Sequence, residues 1–289
     1  MFKDIFGNIR YKVALHIHTT LSDGGKTPEE AAEIYKNAGY DVIAITDHWS
    51  YYPEGEINSV NIISGIEYNT GAADTAEDVM HIVALGMKKA PEISREASRQ
   101  EIIDAINGEG GIAVLAHPAW SLNTLEDVVS LNGFSATEIY NSVSDVGQSR
   151  RGYSGYIVDA LANKGIVFPL IAADDVHFYN GEDETKSFVM VKAESDSPSD
   201  IIKALRQGDF YATQSPELHL KREGNMMIAD CSEVVEINFI SNSSYAPDRI
   251  ITGEALTHAE YPIKPWERWI RLEVKDKDGR YAWSNIVVL

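Results

Sequence analysis

The chain has 289 residues, 44 acidic and 25 basic, for a formal charge of −19 at neutral pH. With 44% hydrophobic and 24% charged residues it is globular rather than disordered in composition, and its length suits one large domain, or one large plus one small. The acidic balance speaks against a nucleic-acid polymer as partner, because phosphate-backbone binding is driven by Lys and Arg neutralising phosphates, and against an anionic membrane surface. No apolar run approaches the roughly 20 residues of a membrane span. The N-terminal MFKDIFGNIRYK lacks a signal-peptide core. Cys231 is the single cysteine and has no partner for an internal disulfide. The expected compartment is the cytoplasm.

In chain order, the first strand is expected over Lys12 to His18. Thr27-Pro28-Glu29-Glu30 then forms a capping box with proline at the first helical position, opening a helix that stops at Gly39. Strands follow over Asp41 to Asp47, Asn61 to Glu67 and His81 to Met87. A helix over Ser98 to Asn107 leads to a strand over Gly111 to His117, and a helix over Leu125 to Leu131 to a strand over Ser135 to Tyr140. A helix over Gln148 to Lys164, a strand over Phe168 to Ala173 and a helix over Pro198 to Arg206 complete the series. Runs such as VIAI, IAVLA and FPLIAA are apolar without alternation, as in strands covered on both faces within a parallel sheet. This β-α alternation predicts a barrel or doubly wound α/β domain. His81 precedes its apolar run, whereas the other notable residues follow theirs. To join them, its strand should run antiparallel, as a hairpin with the strand ending at Glu67. Beyond residue 212 only short strand-like stretches remain, EVVEINFI, WIRLEVKD and SNIVVL, with turns such as Asp278-Gly279. Residues 1–212 and 213–289 are therefore expected to be the α/β unit and a small antiparallel β module.

Six of the eight histidines sit where a strand begins or ends: His16, His18, His48, His81, His117 and His177. A lone histidine of this kind would be a surface or hydrogen-bonded core residue, but six with acidic neighbours are hard to explain that way. Functional groups of barrel and doubly wound folds gather at the carboxyl ends of strands. His16 and His18 share one face of a strand, so both imidazoles can reach one ion. Ser22-Asp23-Gly24 can return a carboxylate from the next loop. Thr46-Asp47-His48, Gly65-Ile66-Glu67 and Ala116-His117-Pro118 close three more strands, and Asp174-Asp175-Val176-His177 closes the last, with Asp175 and His177 at ligand spacing. Imidazole and carboxylate together suit zinc, iron or manganese. The set exceeds what one ion needs, and Glu67 could bridge two. This points to a multinuclear catalytic centre.

Other residues carry plainer readings. Cys231 reads as an inert buried thiol, and His219 and His258 as surface residues of the β module. Asp74, Glu77 and Asp78 read as a solvated acidic loop, and Asp174 as a residue supporting the site rather than a ligand. Trp49 and Trp120 follow ligand motifs and either wall the pocket or pack its rim.

The ordered motifs HIHTTLSDG, ITDHW, GIEYN, HIVALG, LAHP and ADDVH resemble the polymerase and histidinol phosphatase (PHP) superfamily, over residues 12 to about 214. EIYN, ADDVH and ALRQGDFYATQSP with a β tail resemble, more loosely, its carbaryl-hydrolase-like subgroup. The resemblance implies a distorted (β/α)7 barrel and a trinuclear centre of three divalent ions (Zn, Mn or Fe). By motif, His16, His18, Glu67 and Asp175 should hold the first ion, and Glu67, His81 and His117 the second. Asp23, His48 and His177 should hold the third, sharing no ligand with the others. Asp47 should orient a ligating histidine.

The leading functional expectation is a metal-dependent phosphoesterase acting on a small phosphorylated metabolite or nucleotide, in which the ions lower the pKa of a bound water and supply hydroxide. Basic groups are scarce in the motif loops. Arg150 and Arg151 are the candidates for a further anion contact, with a solvated helix start as their plainer reading, and Asn141 could donate to substrate. One alternative is hydrolysis of a carbamate, ester or amide at the same ions, which paired aromatics would suit. Another is a non-catalytic, metal-stabilised binding module. The expected partner is a small phosphorylated molecule, with no nucleic-acid polymer and no membrane.

Overall fold

The computed structural model describes residues 1–72 and 77–289. Asp74 lies outside the described residues. The described residues are mixed α/β, with two sheets. One has 13 strands and runs in the order Leu218–Glu223, Met226–Ser241, Trp269–Lys275, Tyr281–Trp283, Phe210–Thr213, Phe188–Val191, Ile9–Ala14, Val42–Ala44, Val60–Ile63, Gly55–Ile57, with three further strands paired beside it. The other has five: Leu170–Ala173, Phe134–Asn141, Ile112–Ala116, Glu77–Leu85 and Gly65–Ala72. Isolated parallel bridges join the sheets, Ile17 with Val176 and His48 with Glu67. Ile17, His48 and Val176 lie past strand carboxyl ends and Glu67 near the start of Gly65–Ala72, so the motif residues converge where the sheets meet.

Ile9–Ala14, Val42–Ala44 and Val60–Ile63 pair in parallel, as do Ile112–Ala116, Phe134–Asn141 and Leu170–Ala173. Apart from the exposed Ile9 and the partly buried Tyr140, their apolar residues are buried on both faces. The His81 strand, Glu77–Leu85, is antiparallel to both neighbours and makes the expected hairpin with Gly65–Ala72. In that register His81 opposes Asn69.

The run read as one strand over Asn61 to Glu67 is two strands, one in each sheet. At the switch, a Cβ on Gly65 would lie 2.4 Å from the carbonyl oxygen of Ile45. The backbones touch there, and glycine permits the crossing.

Helices over Pro28–Asn37 and Arg99–Gly108 start at capping boxes, Thr27 with Glu30 and Ser98 with Glu101. The helix expected over Gln148 to Lys164 is instead a π turn over Ser144–Ser149 and a separate helix over Gly155–Asn163. Arg150 sits between them in the left-handed region at φ 59° and ends the first turn.

Phe188–Val191 and Ile250–Pro262 are among the strands that the sequence did not suggest. Phe188–Val191 is four apolar residues in a polar stretch, and it lies between Ile9–Ala14 and Phe210–Thr213. Ile250–Pro262 is mostly exposed and lacks the alternation that marks a half-buried strand. It lies flat against Met226–Ser241.

The strands beyond residue 213 continue the large sheet through the pairing of Phe210–Thr213 with Tyr281–Trp283. Arg271, 1% exposed, donates to both carboxylate oxygens of Asp159 at 2.7 and 3.0 Å, tying the C-terminal strands to the Gly155–Asn163 helix.

Gly65→Ala should lower stability by about 1–3 kcal/mol, the usual cost of overpacking that the backbone must absorb. Gly108→Ala, at a helical position with nothing within 4 Å of the added Cβ, should be neutral or stabilising by up to about 1 kcal/mol. Chemical denaturation of both variants checks the pair. Equal effects would contradict the crossing as the reason for glycine at position 65.

Candidate metal centre

Glu67 is the hub. Its carboxylate is 1% exposed and meets five imidazoles. Oε1 lies 3.0 Å from His81 Nδ1, 3.3 Å from His117 Nε2 and 3.4 Å from His16 Nε2. Oε2 lies 2.9 Å from His48 Nδ1 and 3.2 Å from His18 Nε2. The two oxygens thus face two different sets of nitrogens. Asp175 Oδ1 spans the two sets, 3.1 Å from Nε2 of both His16 and His18. Asp23, with its side chain half exposed, approaches from the other side, 3.3 Å from His18 Nδ1, 3.5 Å from His177 Nε2 and 3.8 Å from His48 Nε2.

Among the described residues, three groups bring ligand atoms within 4.8 Å of one another: His16, His18, Glu67 and Asp175; His18, Asp23, His48 and His177; and His48, Glu67 and His81. All nine expected ligands therefore lie at one place, His117 through its contact with Glu67. The groups overlap more than expected. His18 and His48 each stand in two of them, so the Asp23 group is not independent of the others. An imidazole has two nitrogens, and the motif resemblance gave each ring one role.

The donor set fits divalent cations. Asp175 Oδ1 and His48 Nδ1 are buried with no hydrogen-bond partner, although each has a ligand atom of opposite kind within 3.1 Å. Buried polar atoms are ordinarily paired, and a cation among them would satisfy both. Burial disfavours charge on His16, but the carboxylates of Asp175, Glu67 and Glu138 outweigh it and raise the ring to about 10. This pocket is built to hold positive charge. His117 and Asp175 adopt positive φ, 25° and 53°, a backbone cost that the surroundings must hold in place.

Supporting residues orient the rings. Glu138 accepts from His16 Nδ1 at 2.8 Å and from the His117 backbone N–H at 2.8 Å. His16 Nε2 is thereby turned to the centre. His177 Nδ1 donates to the Asp175 carbonyl at 2.7 Å, leaving Nε2 for the centre. Asp183, fully buried, accepts from the backbone N–H groups of His177, Phe178 and Tyr179 at 2.7–3.0 Å and fixes that loop. Neither Glu138 nor Asp183 was singled out in the sequence. Glu138 had a usable signal, a carboxylate inside the apolar strand Phe134–Asn141.

Several expectations are corrected. Asp47 touches no imidazole directly and reaches His18 only through Ser22, whose Oγ lies 3.3 Å from His18 Nδ1. It accepts from Thr19 N–H and Oγ and from Ser22 N–H and Oγ at 2.7–3.0 Å, holding the loop that carries Asp23. Asn141 is fully buried and committed: its amide donates to Glu138 at 2.9 Å and Asp175 at 3.2 Å, and its oxygen accepts from Ser144 N–H at 3.0 Å. It has no donor left for substrate.

The cavity over the centre, about 440 Å³, is lined by Asn69, Trp120, Gln148 and Phe178 beside the ligand residues, and Arg150 and Arg151 are not among its walls. The left-handed Arg150 that ends the π turn leaves Gln148, not the arginines, on the wall.

Asp174 faces away from the centre, accepting from Tyr35 Oη at 2.8 Å and from the N–H groups of Lys186 and Ser187 at 2.9 and 2.7 Å. Trp120 packs edge-on against His81 and His117 as a cavity wall, whereas Trp49 packs on Tyr68. His258 is exposed and bound to Asp230 at 2.7 Å. His219 is not a surface residue. It is largely enclosed between Arg10, Phe6 and Tyr211, and burial lowers it to about 4. Cys231 is buried, which pushes its thiol up to about 12. Asp78 is exposed and paired with Arg99 at 2.8 Å, away from the centre.

No family model matches the chain. An uncharacterised protein of Methanocaldococcus jannaschii is 29% identical over 118 residues, covering 37% of this chain and 67% of that one. Among solved structures, a two-domain protein of Bacteroides vulgatus containing a predicted PHP-like metal-dependent phosphoesterase is similar over 100% of this chain and 97% of its own. Its TM-score is 0.60 at 15% identity. Endonuclease Q of Pyrococcus furiosus is similar over 69% of this chain and 56% of its own, with a TM-score of 0.46 at 16% identity. Endonuclease Q has also been solved with a 27-mer duplex substrate carrying an abasic lesion at the active site. The exclusion of a nucleic-acid polymer as partner does not stand, because it rested on the charge balance alone. A charge of −19 is a sum over the whole chain and describes no single site. No helix among the described residues is long and apolar enough to cross a membrane. In fold, this chain is like the PHP-like protein of Bacteroides vulgatus.

Proposed function

We propose that this chain is a PHP-superfamily, metal-dependent phosphoesterase. The observation that carries the reading is Glu67, whose two buried carboxylate oxygens face two different sets of imidazoles beneath an open cavity. In this reading the strands from Ile9–Ala14 to Leu170–Ala173, closed by the Ile17–Val176 and His48–Glu67 bridges, form a distorted (β/α)7 barrel. Residues 1–212 carry the centre, and residues 213–289 form a β module bracing it.

His16, His18, Glu67 and Asp175 would hold one ion and Glu67, His81 and His117 a second. Asp23, His48 and His177, with His18 beside them, would hold a third. Bound divalent ions would lower the pKa of a coordinated water and polarise a phosphoryl oxygen. The chain's own part is positional. Glu67 fixes the spacing of the two ring sets, Glu138 fixes the His16 ring, and Asp47 and Asp183 fix the loops bearing Asp23 and His177. Among the described residues no Lys or Arg lines the cavity, so charge on a phosphoryl group would be met by cations at the centre.

Hydrolysis of a carbamate or ester at the same site is the second reading. Trp120 and Phe178 on the cavity wall favour it. A panel of phosphomonoesters, phosphodiesters, a duplex with an abasic site and aryl carbamates, assayed with zinc, manganese and iron, tests both. Phosphoester turnover is expected, and turnover of carbamates alone would replace the first reading with the second.

Glu67→Gln should abolish turnover and lower metal content, since an amide offers one neutral oxygen where two charged ones are needed. Elemental analysis and the panel together check this. Glu138→Gln should weaken metal affinity about 10–100-fold, the usual effect of removing a carboxylate that orients a ligating histidine, read by competition with a chelator. Asp23→Asn should cost phosphoesterase turnover about 2–4 kcal/mol in transition-state stabilisation and carbamate turnover less, because a phosphate ester is the more anionic substrate. Equal losses on both substrate types would remove the charge argument for the Asp23 group.

A further inference from the structure

Among the described residues, the cavity walls beside the centre are uncharged. They consist of two side-chain amides, Asn69 and Gln148, and two aromatic rings, Trp120 and Phe178. Asn69 and Gln148 are exposed, and neither side-chain amide has a hydrogen-bond partner among the described residues. This contrasts with Asn141, whose amide is fully used.

The position of Gln148 is built. It lies on the π turn Ser144–Ser149, a local form often found at functional sites. The turn is pinned at Asp145, which accepts from Tyr140 Oη at 2.8 Å and, through its carbonyl, from the Arg150 N–H at 3.1 Å. Gly147 lies against the Phe178 ring so closely that a Cβ would stand 2.7 Å from it. Asn141 joins the start of this turn to Asp175 at the centre. The turn is therefore held in register with the centre.

We propose that Gln148, with Asn69, Trp120 and Phe178, selects the non-reacting part of the substrate, and that this part is an uncharged planar heterocycle with hydrogen-bonding edges. The inference rests on the phosphoesterase reading above. The amides supply donors and acceptors for the edges and the aromatic rings cover a flat face. A second phosphate on the substrate would meet Asp23 and these neutral walls with no cationic side chain to compensate it.

The test uses the metal-loaded full chain and three phosphomonoesters: a nucleoside monophosphate, the sugar phosphate lacking the base, and a sugar bisphosphate. The base-bearing substrate should have the highest kcat/KM, by about tenfold over the sugar phosphate, roughly the worth of one well-made hydrogen bond plus ring contact. Gln148→Ala should erase most of that preference through KM, and Gln148→Lys should raise turnover of the bisphosphate relative to the other two. Arg150→Ala, outside the cavity wall, should keep the preference. Hydrolysis of all three without preference, or an unchanged preference in Gln148→Ala, overturns this inference and leaves the phosphoesterase reading intact. Hydrolysis of none of them, or of other phosphoesters only, overturns this inference. If the wider panel is also inert, the phosphoesterase reading falls with it.

Discussion

A buried carboxylate ringed by imidazoles sets the rest of this structure. Glu67 is removed from water, and an uncompensated charge at such depth costs many kcal/mol. The surrounding nitrogens offset that cost with protons or with cations. Every ring must then be aimed, because an imidazole that turns away leaves the carboxylate unpaired. The fold solves this by bringing strand ends from two sheets to one point, joined by the His48–Glu67 and Ile17–Val176 bridges.

The aiming is done by a second layer of acids and amides. Glu138 holds a ring nitrogen of one ligand and the backbone of another. Asp47 and Asp183 hold loops rather than rings, each accepting several N–H groups. Asn141 connects Glu138, Asp175 and the π turn. Much of the chain's negative charge in this region is thus structural, spent on orienting groups around a site for positive charge. This is why a net charge of −19 is compatible with handling anionic substrates.

The C-terminal strands are tied to the rest of the chain by two devices of different kind. One is backbone pairing, from Ile9–Ala14 through Phe188–Val191 and Phe210–Thr213 to Tyr281–Trp283. The other is the buried Arg271–Asp159 pair, with Tyr153 Oη bound to both Arg271 and Glu273 at 3.1 and 2.6 Å. A buried pair of this sort adds little net stability, but removing one partner is costly. It therefore fixes how the strands sit against the helix.

The sequence by itself determined the chemistry-bearing positions. Histidines and carboxylates at strand ends, i and i+2 spacing at His16 and His18, and the reversed placement of His81 were enough to bring nine residues together and to require an antiparallel strand among parallel ones. These are local facts, set by the two-residue period of a strand and by where an apolar run stops. Tertiary structure alone decided the sharing of His18 and His48 between groups, the roles of Glu138 and Asp183, the withdrawal of Asn141, and Gln148 in place of Arg150 and Arg151 at the cavity wall. Each depends on contacts between distant segments or on a single left-handed residue. The exposed Ile250–Pro262 strand left no trace in its own composition because its partner, not its side chains, holds it in place.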